Sequence, residues 1–557
     1  MRSAGWATAC AALTALVLAG CGGSSGSSTG ATAGGAGGTP AAGTAVPGGT
    51  LRAAISDNPD HLDSGLSYAT EGWEILESTG DGLLAFKRAS GAAGAAIVPD
   101  LATAMPKVSA DGKTYTFTMR RGVKFAPPAN REVLPSDVKF AIERLYRVDS
   151  GGVGFFSGIV GADAYAKTRK GGISGIVADD HRRTITFHLT ERDGTFLDYI
   201  ATPFGDAVPK GTPDRDISTS ARWRSATGPY MVTEYVPKDH ITLARNPNFR
   251  QWTAERPDGH LDKIVIRIGV NPEQAVNETS NGTLDWYFGP IASDRLAEIR
   301  ARHPKQVHTF ARNNITYFAL NTRKPPLNNV KVRQALNYAV DRGALVKLFG
   351  GQGTPTENIV PPTLGAAYRR HTFYPHDMAK ARALVNASGT QGQSVAVWSH
   401  NTDPVPKAAQ YLAGVLNQLG YKATVKSLDE SVYWDTISTQ KGDPQIPFVQ
   451  FDQDYPEGQD FVDVQLNGSR IANVGNQVHS NIDVAALNAR MDAARKMPLG
   501  PARDAQWAAI DATMMKDQAP WIPFMNRNLP KYVSPKLQGV VFNGTYYEMF
   551  PQMWLKR

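Results

Sequence analysis

The two cysteines, Cys10 and Cys21, both lie within the first 21 residues, and that placement constrains the fold more than any other feature. Everything after Cys21 must hold together by packing, hydrogen bonds and ion pairs. A disulfide framework, a cysteine zinc site and a cysteine nucleophile are all excluded from the body. Yet 557 residues are too many for one core, since single domains stop growing at roughly 250–300 residues. Two or three lobes are expected. A content of 42% hydrophobic and 20% charged residues is that of an ordinary globular chain rather than a disordered or fibrous one. The net charge of +8 comes from 59 basic and 51 acidic side chains. No Lys/Arg block concentrates it, so no nucleic-acid partner is expected.

The leader reads as an address. Arg2 precedes an uncharged apolar run from Trp6 to Leu18, shorter than the roughly 20 residues a membrane-spanning helix needs. Residues 1–20 are therefore expected to be a signal peptide. The run ends in Leu18-Ala19-Gly20-Cys21, which resembles the bacterial lipoprotein cleavage box. That resemblance implies that Cys21 opens the mature chain and carries lipid on its sulfur. A general secretory signal that happens to contain a cysteine is the alternative. Residues 21–47 are almost all Gly, Ser, Thr and Ala, with Pro40 and Pro47 and no charge. Such a stretch cannot bury enough apolar surface to offset its ordering entropy, so a flexible tether is expected. The body would then work at the extracytoplasmic face of a bacterial cell membrane.

Within the body, Thr50 to Ile55 reads as a strand after a glycine pair, and Thr114 to Met119 alternates as a half-buried strand leaving a turn at Ser109 to Lys113. Pro135-Ser136-Asp137 caps a helix whose apolar face is Val138, Ala141, Ile142 and Leu145. Met231 to Tyr235 and Ile241 to Leu243 read as strands. A helix from Val330 carries Val332, Ala335, Leu336, Ala339 and Val340 on one face, and Asp341 starts the next turn of chain. Beyond about residue 390, strand Ser394 to Trp398, helix Pro404 to Leu419 and strand Tyr421 to Val425 predict a parallel, right-handed β-α-β crossover, with Gly420 as the helix C-cap. A strand from Ile446 to Phe451 runs into Asp452-Gln453-Asp454-Tyr455-Pro456. Ligands collect beyond the carboxyl ends of strands in open parallel sheets, which puts Asp454 where a ligand-facing acid would stand.

Catalytic and metal motifs are absent. Gly112-Lys113-Thr114 lacks the first glycine of a P-loop, Lys107 standing there, and reads as a hairpin. Gly152-Val153-Gly154 has Ser157 where a dinucleotide fingerprint needs a third glycine. The histidine pairs His303/His308 and His371/His376 are five apart, not the four of a helical metal pair. Asp179-Asp180 and Asp452/Asp454 offer carboxylate pairs for general acid and base work, but adjacent or i, i+2 carboxylates are more often solvated or capping residues, and spacing alone sets no pKa. Neither a cofactor nor a metal site is expected, and an enzyme is not expected.

Ten blocks in order carry a family resemblance. They are Gly48 to Leu51, Asn58-Pro59 to Leu62-Asp63, Asp81-Gly82-Leu83-Leu84, Pro99-Asp100-Leu101-Ala102, Ser109 to Phe125 with Ser136-Asp137-Val138, Thr227-Gly228-Pro229-Tyr230, Arg245-Asn246-Pro247, Asn281 to Asp285, Phe318 to Asn321, and Val330 to Asp341. Together they resemble the family 5 extracellular solute-binding proteins of ABC importers, which include oligopeptide- and dipeptide-binding proteins. The resemblance implies an α/β fold of the two-lobed periplasmic-binding-protein type (type II, three-domain cluster C), with a hinge and an interlobe cleft. It implies a discontinuous lobe I of residues 48–85, 205–308 and 525–557, an inserted extra domain at 86–204, and a lobe II at 309–524.

It further implies a receptor that captures short peptides and delivers them unchanged to ABC permease subunits with a cytoplasmic ATPase, working as a monomer. In the peptide binders an acid in a Trp-x-x-Asp-Tyr-type segment pairs with the ligand's α-amino group. Asp454 aligns with that acid in Phe451-Asp452-Gln453-Asp454-Tyr455, Phe451 replacing the tryptophan. A strand-end cap is the alternative reading of Asp454. Trp434, preceded by Tyr433, resembles an aromatic wall of the same cleft, its alternative being a core residue. Phe448 stands where oligopeptide binders carry an arginine, which leaves the partner of the ligand carboxylate open. Relatives that take nickel complexes, haem, glutathione or sugars keep a non-peptide solute or a metal chelate open too. A surface-anchored hydrolase is the reading from another class.

Overall fold

Lys263–Ile268 alternates buried and more exposed side chains and pairs in parallel with the more buried Thr50–Ile55, the two forming the parallel centre of a five-stranded sheet. A computed structural model describes residues 45–556 apart from 221, 224, 225, 293 and 474. Cys21 and the expected tether up to residue 44 lie outside the described residues. The five-stranded sheet runs in the order Trp286–Tyr287, Thr50–Ile55, Lys263–Ile268, His240–Arg245, Tyr230–Val236. Its apolar face is covered by residues from the far end of the chain, among them Val533, Leu537, Phe550 and Met553.

A seven-stranded sheet forms the second lobe. Its main path is Val307–Ala311, Trp521–Tyr532, Asn314–Ala319, Ile446–Asp452, Ser394–His400 and Lys422–Leu428, and Gly353–Pro355 pairs with Trp521–Tyr532. The β-α-β expectation holds here. Strand Ser394–His400, helix Val405–Gln418 and strand Lys422–Leu428 form a parallel pair in continuous register from Ser394↔Lys422 to His400↔Leu428. Gly420 adopts the left-handed conformation just past the helix, where a Cβ is costly. The sheet as a whole is mixed rather than parallel. Ile446–Asp452 runs parallel to Ser394–His400 but antiparallel to Asn314–Ala319. Successive residues feed opposite cores: Phe318 and Phe448 join Leu336, Leu412 and Phe524, while Tyr317 and Val449 join Tyr433, Trp507 and Trp521. That is the period-two rule of a sheet covered on both faces.

The crossing strands link the two lobes. Trp521–Tyr532 pairs with Asn314–Ala319 in its first half and with Val307–Ala311 in its second. A smaller antiparallel sheet, Lys107–Val108, Thr114–Thr118, Thr184–His188 and Ile176–Asp179, is covered by helix Pro135–Arg147. The expected apolar face of that helix is buried, and Asp137 accepts a hydrogen bond from the Leu134 N–H that precedes it. Its core runs on into Trp73 and Phe86 before it, Tyr546 after it, and Tyr455 of the second lobe.

Several acids of the ten sequence blocks are buried partners in ion pairs. Asp81 and Asp100 meet Glu77, Arg88 and Arg256 in a fully buried ionic hub: Arg256 lies 2.7 Å from Asp81 and 3.1 Å from Glu77, and Arg88 lies 3.2 Å from Asp100. The Trp252 indole N–H donates to Asp100 at 3.0 Å. Gly228 admits this hub, since a Cβ there would stand 2.7 Å from the Ser78 carbonyl oxygen. Asp63 takes both arms of Arg144 at 2.8 and 2.7 Å, and Asp285 takes Arg52 at 2.9 and 2.7 Å. Each of these acids anchors a strand or helix end by a paired charge.

Candidate functional site

The strand Ile446–Asp452 ends against the other lobe, and the next residues form the site. Helix Gly458–Leu466 follows, capped by the Glu457 side chain. Between them the Asp454 backbone N–H donates to the Asp460 carboxylate at 2.8 Å, which fixes the turn and turns the Asp454 side chain outward. Tyr68, 386 residues away in sequence, reaches across and donates its hydroxyl to Asp454 Oδ2 at 3.1 Å. That hydroxyl is the side-chain partner of Asp454 among the described residues.

Aromatic rings enclose the contact. Tyr68 lies 5.4 Å from Phe204, 6.2 Å from Trp73 and 6.3 Å from Phe155, measured between ring centroids. Phe155 and Tyr199 in turn hold Tyr455 at 6.0 and 5.3 Å. Tyr68 keeps 46% of its surface accessible, and Asp454 is half-buried. The contact therefore stands at the edge of an aromatic cluster, partly open to solvent, rather than inside a core.

The electrostatics follow. Burial pushes the Asp454 carboxyl up to about 6, and the Tyr68 hydrogen bond offsets only part of that. Asp460 behind it is pushed well above the carboxylate range, by burial first and by the Asp454 charge second. Deeper still, Arg503 ties the Asp454 turn to the loop at Thr195. Its guanidinium meets Glu457 at 2.9 Å and the Thr195 hydroxyl, and Glu457 also accepts from the Trp507 indole at 2.8 Å. On the rim Arg495 pairs with Glu191 at 2.7 Å.

The expected site residues separate into two groups. Asp454 is at the interlobe contact. Phe451, half-buried, packs edge-on against Phe461 at 5.3 Å, and Trp434, also half-buried, stands beside His400 at 5.6 Å. Both lie over the same core cluster. Tyr433 does not line the cleft. It is 0% exposed, its hydroxyl donating to the Phe448 and Trp398 carbonyls at 2.9 and 3.1 Å. It is a core residue, which corrects the expectation that it meets a solute; helical rotation puts neighbouring aromatics on different faces. Tyr455 is buried as well, bonded to Gln459, so it supports the Asp454 turn rather than touching the cleft. Phe448 is fully buried, consistent with its apolar side chain at the family's arginine position.

Sequence reading missed Tyr68, Phe155, Tyr199 and Phe204. Each is a lone aromatic in a loop or short helix, and nothing local marks it as facing Asp454. A cavity of about 350 Å³ elsewhere, lined by Arg295, Arg302 and His303, has its arginines already paired with Glu273 and Glu298. Among the described residues no helix is long and apolar enough to cross a membrane, and no cluster of His, Cys, Asp or Glu could hold a metal ion.

Residues 96–473 match the model for bacterial extracellular solute-binding proteins, family 5 Middle. Heme-binding protein A of Haemophilus influenzae is 27% identical over 531 residues, covering 90% of each chain. The dipeptide-binding protein of Escherichia coli is 29% identical over 331 residues, 54% of this chain and 57% of that one. Among solved structures, the clavulanic acid biosynthesis oligopeptide binding protein 2 superposes with a TM-score of 0.84 at 23% identity, covering 92% of this chain and 96% of the other. An ABC transporter-associated periplasmic binding protein of Helicobacter pylori, in complex with the peptide STSA, has a TM-score of 0.73 at 22% identity, over 92% and 99%.

Proposed function

This chain belongs to the bacterial extracellular solute-binding proteins, family 5, and from that premise we propose that it is the lipid-anchored receptor of an ABC importer. It captures short peptides between its lobes and hands them, chemically unchanged, to permease subunits served by a cytoplasmic ATPase. The lobes are residues 48–85, 205–308 and 525–557 on one side and 309–524 on the other, with 86–204 as the added domain. The observation that carries this reading is Asp454: a carboxylate whose charge is disfavoured by burial, facing the opposite lobe, with a neutral hydroxyl for company. Such a group asks for a cation, and every peptide brings an ammonium at its N-terminus. Phe451 and Trp434 supply apolar wall, while Tyr455 and Tyr433 hold it from behind. Backbone-directed capture in a wet cleft tolerates varied side chains.

Acidity supplies a test. Only ionised Asp454 attracts an ammonium, and its carboxyl is pushed up to about 6 in the free protein. Peptide affinity should be flat above pH 7 and fall up to about tenfold per unit as pH drops below 6, one proton being taken up per peptide released. Calorimetric titration of a di- to pentapeptide library from pH 4.5 to 8 would read this. Affinity that is level across that range would remove Asp454 as the anchor.

The full-length similarity to a haem-binding relative favours, as a second reading, a non-peptide solute or metal chelate in the same cleft. Native mass spectrometry of protein purified from its own host separates the two: a mixture of peptides supports the first reading, one defined species the second. Anchoring rests on Leu18-Ala19-Gly20-Cys21 and the uncharged leash after it. Cys21→Ser is expected to move the protein from the membrane to the soluble fraction. Retention on the membrane would contradict the anchor.

A further inference from the structure

Helix Phe196–Ala201 carries a buried acid that no cation serves. Asp198 is 3% exposed, and its Oδ2 has no hydrogen-bond partner. Among the described residues no Lys, Arg or His lies within ion-pair reach of it. The nearest positive charge, Arg503, is fully buried and already occupied. Its guanidinium donates to Glu457 at 3.0 Å, to the Met497 carbonyl at 3.2 Å and to the Thr195 hydroxyl. Two buried carboxylates, Asp198 and Glu457, thus share the field of one guanidinium, and Glu457 holds it.

The surroundings offer Asp198 no other cation. Asp193 adds negative charge, with Arg495 standing 3.7 Å from it. Arg470 pairs with Asp463 at 2.5 Å. Asp504, next to Arg503 on helix Pro501–Thr513, is one more acid. Burial holds the Tyr199 and Tyr455 hydroxyls protonated, far above their ordinary range. The segments packed on the helix, Leu84–Phe86, Ile97–Pro99, Val153–Phe156 and Pro203–Gly205, have no charged side chain. Burial first, and the Glu457 charge second, push the Asp198 carboxyl well above the usual range, so in the packed structure it carries a proton.

The position of Asp198 gives that proton a role. It stands at the seam where residues 191–199 meet residues 457–503, the first from the proposed added domain and the second from the proposed second lobe. The seam is closely fitted. The Gly194 N–H donates to the Arg495 carbonyl at 3.0 Å, and a Cβ on Gly194 would stand 2.0 Å from the Met497 carbonyl oxygen. On its rim Glu191 meets Arg495 at 2.7 Å and Lys496 at 3.0 Å. Parting the two sides admits water to Asp198, which then returns towards an ordinary aspartate value of about 3.9 and ionises at neutral pH.

We propose that this seam is a proton-held lock: it closes with Asp198 neutral, and each parting releases that proton to water. The inference goes beyond the peptide reading and rests only on the division into lobes. The closed seam binds one proton more than the open one, so acid favours closure. Opening rises by up to about tenfold per unit as pH climbs towards the closed-state value of Asp198. Solute entry and escape through this opening quicken together, which leaves affinity level above pH 7 while exchange speeds up.

Hydrogen exchange read by mass spectrometry on the full-length, solute-free protein tests the lock between pH 7.5 and 9. Glu457, pushed up to about 7, is already ionised over that range. Fragments covering residues 191–199 report the seam, and helix Val405–Gln418 reports the core of the second lobe. Corrected for the intrinsic rise with pH, seam protection in wild type should fall about three- to tenfold per unit, with helix protection level. Asp198→Asn, uncharged and of the same shape, should keep seam protection within about twofold across the range. Thermal unfolding reports whether the variant is folded, and Asp198→Ser takes its place if it is not. Level protection in wild type, the same slope in the variant, or a fall shared by the helix overturns the lock. No solute takes part, so either result leaves the peptide reading as it was.

Discussion

Arg256→Ala is expected to destabilise the protein by about 3–5 kcal/mol, the usual cost of removing one partner from a buried ion pair. Arg256 is fully buried and serves two carboxylates, Asp81 at 2.7 Å and Glu77 at 3.1 Å, besides the Gly80 carbonyl at 3.1 Å. Its loss leaves Arg88 alone against Glu77, Asp81 and Asp100. Burial already pushes Asp81 up to about 8 even with Arg256 beside it, so the variant hub must take up protons to survive. For an acid with a raised pKa, the folded state binds more protons than the unfolded one, and stability falls as pH rises through the folded value. The penalty should therefore be larger at pH 8 than at pH 5. Urea melts at both values would show it, and a variant as stable as wild type at pH 8 would mean that the hub is not a structural anchor.

Asp454→Ala is expected to weaken peptide binding by about 2–4 kcal/mol, or roughly 30- to 1,000-fold, the range for deleting one side of a desolvated charge pair. The same change should not harm the fold. In the free protein the Asp454 charge is held away from bulk water without a cation, a state favoured less than in the unfolded chain. Above pH 6 the variant should be at least as stable as wild type, a sign of a residue kept for function at some cost in stability. Loss of binding together with loss of stability would instead make Asp454 a structural turn residue. Binding equal to that of wild type would leave the family membership standing and remove the anchor.

Much of the scaffold was legible because it is written in local patterns. Helix Pro135–Arg147, the Ser394–Leu428 crossover and the strand ending at Asp452 each declare themselves by apolar period and by caps, and Asp341 caps the next helix, accepting from Ala344 N–H at 3.0 Å. The acids of the shared blocks were visible as blocks, but their partners were not. Nothing near Asp81 announces Arg256, 175 positions on, because ion pairing has no period. The site divides in the same way. The position of Asp454 just past a strand end was legible from the strand before it, whereas its partner Tyr68 lies 386 residues away and carries no motif. Trp434 and Tyr433 are adjacent in sequence, and only their rotation about the helix sends one to the rim and the other into the core.

Reversible capture without chemistry is what the proposed receptor must perform. Wild-type protein, freed of solute by unfolding and refolding, should be mixed with an equimolar di- and tripeptide library and followed by native mass spectrometry, with the peptides recovered afterwards. One peptide per chain is predicted, drawn from many sequences, each recovered at its starting mass and absent from Asp454→Ala. Peptides returned cleaved, or no complex with any of them, would contradict it.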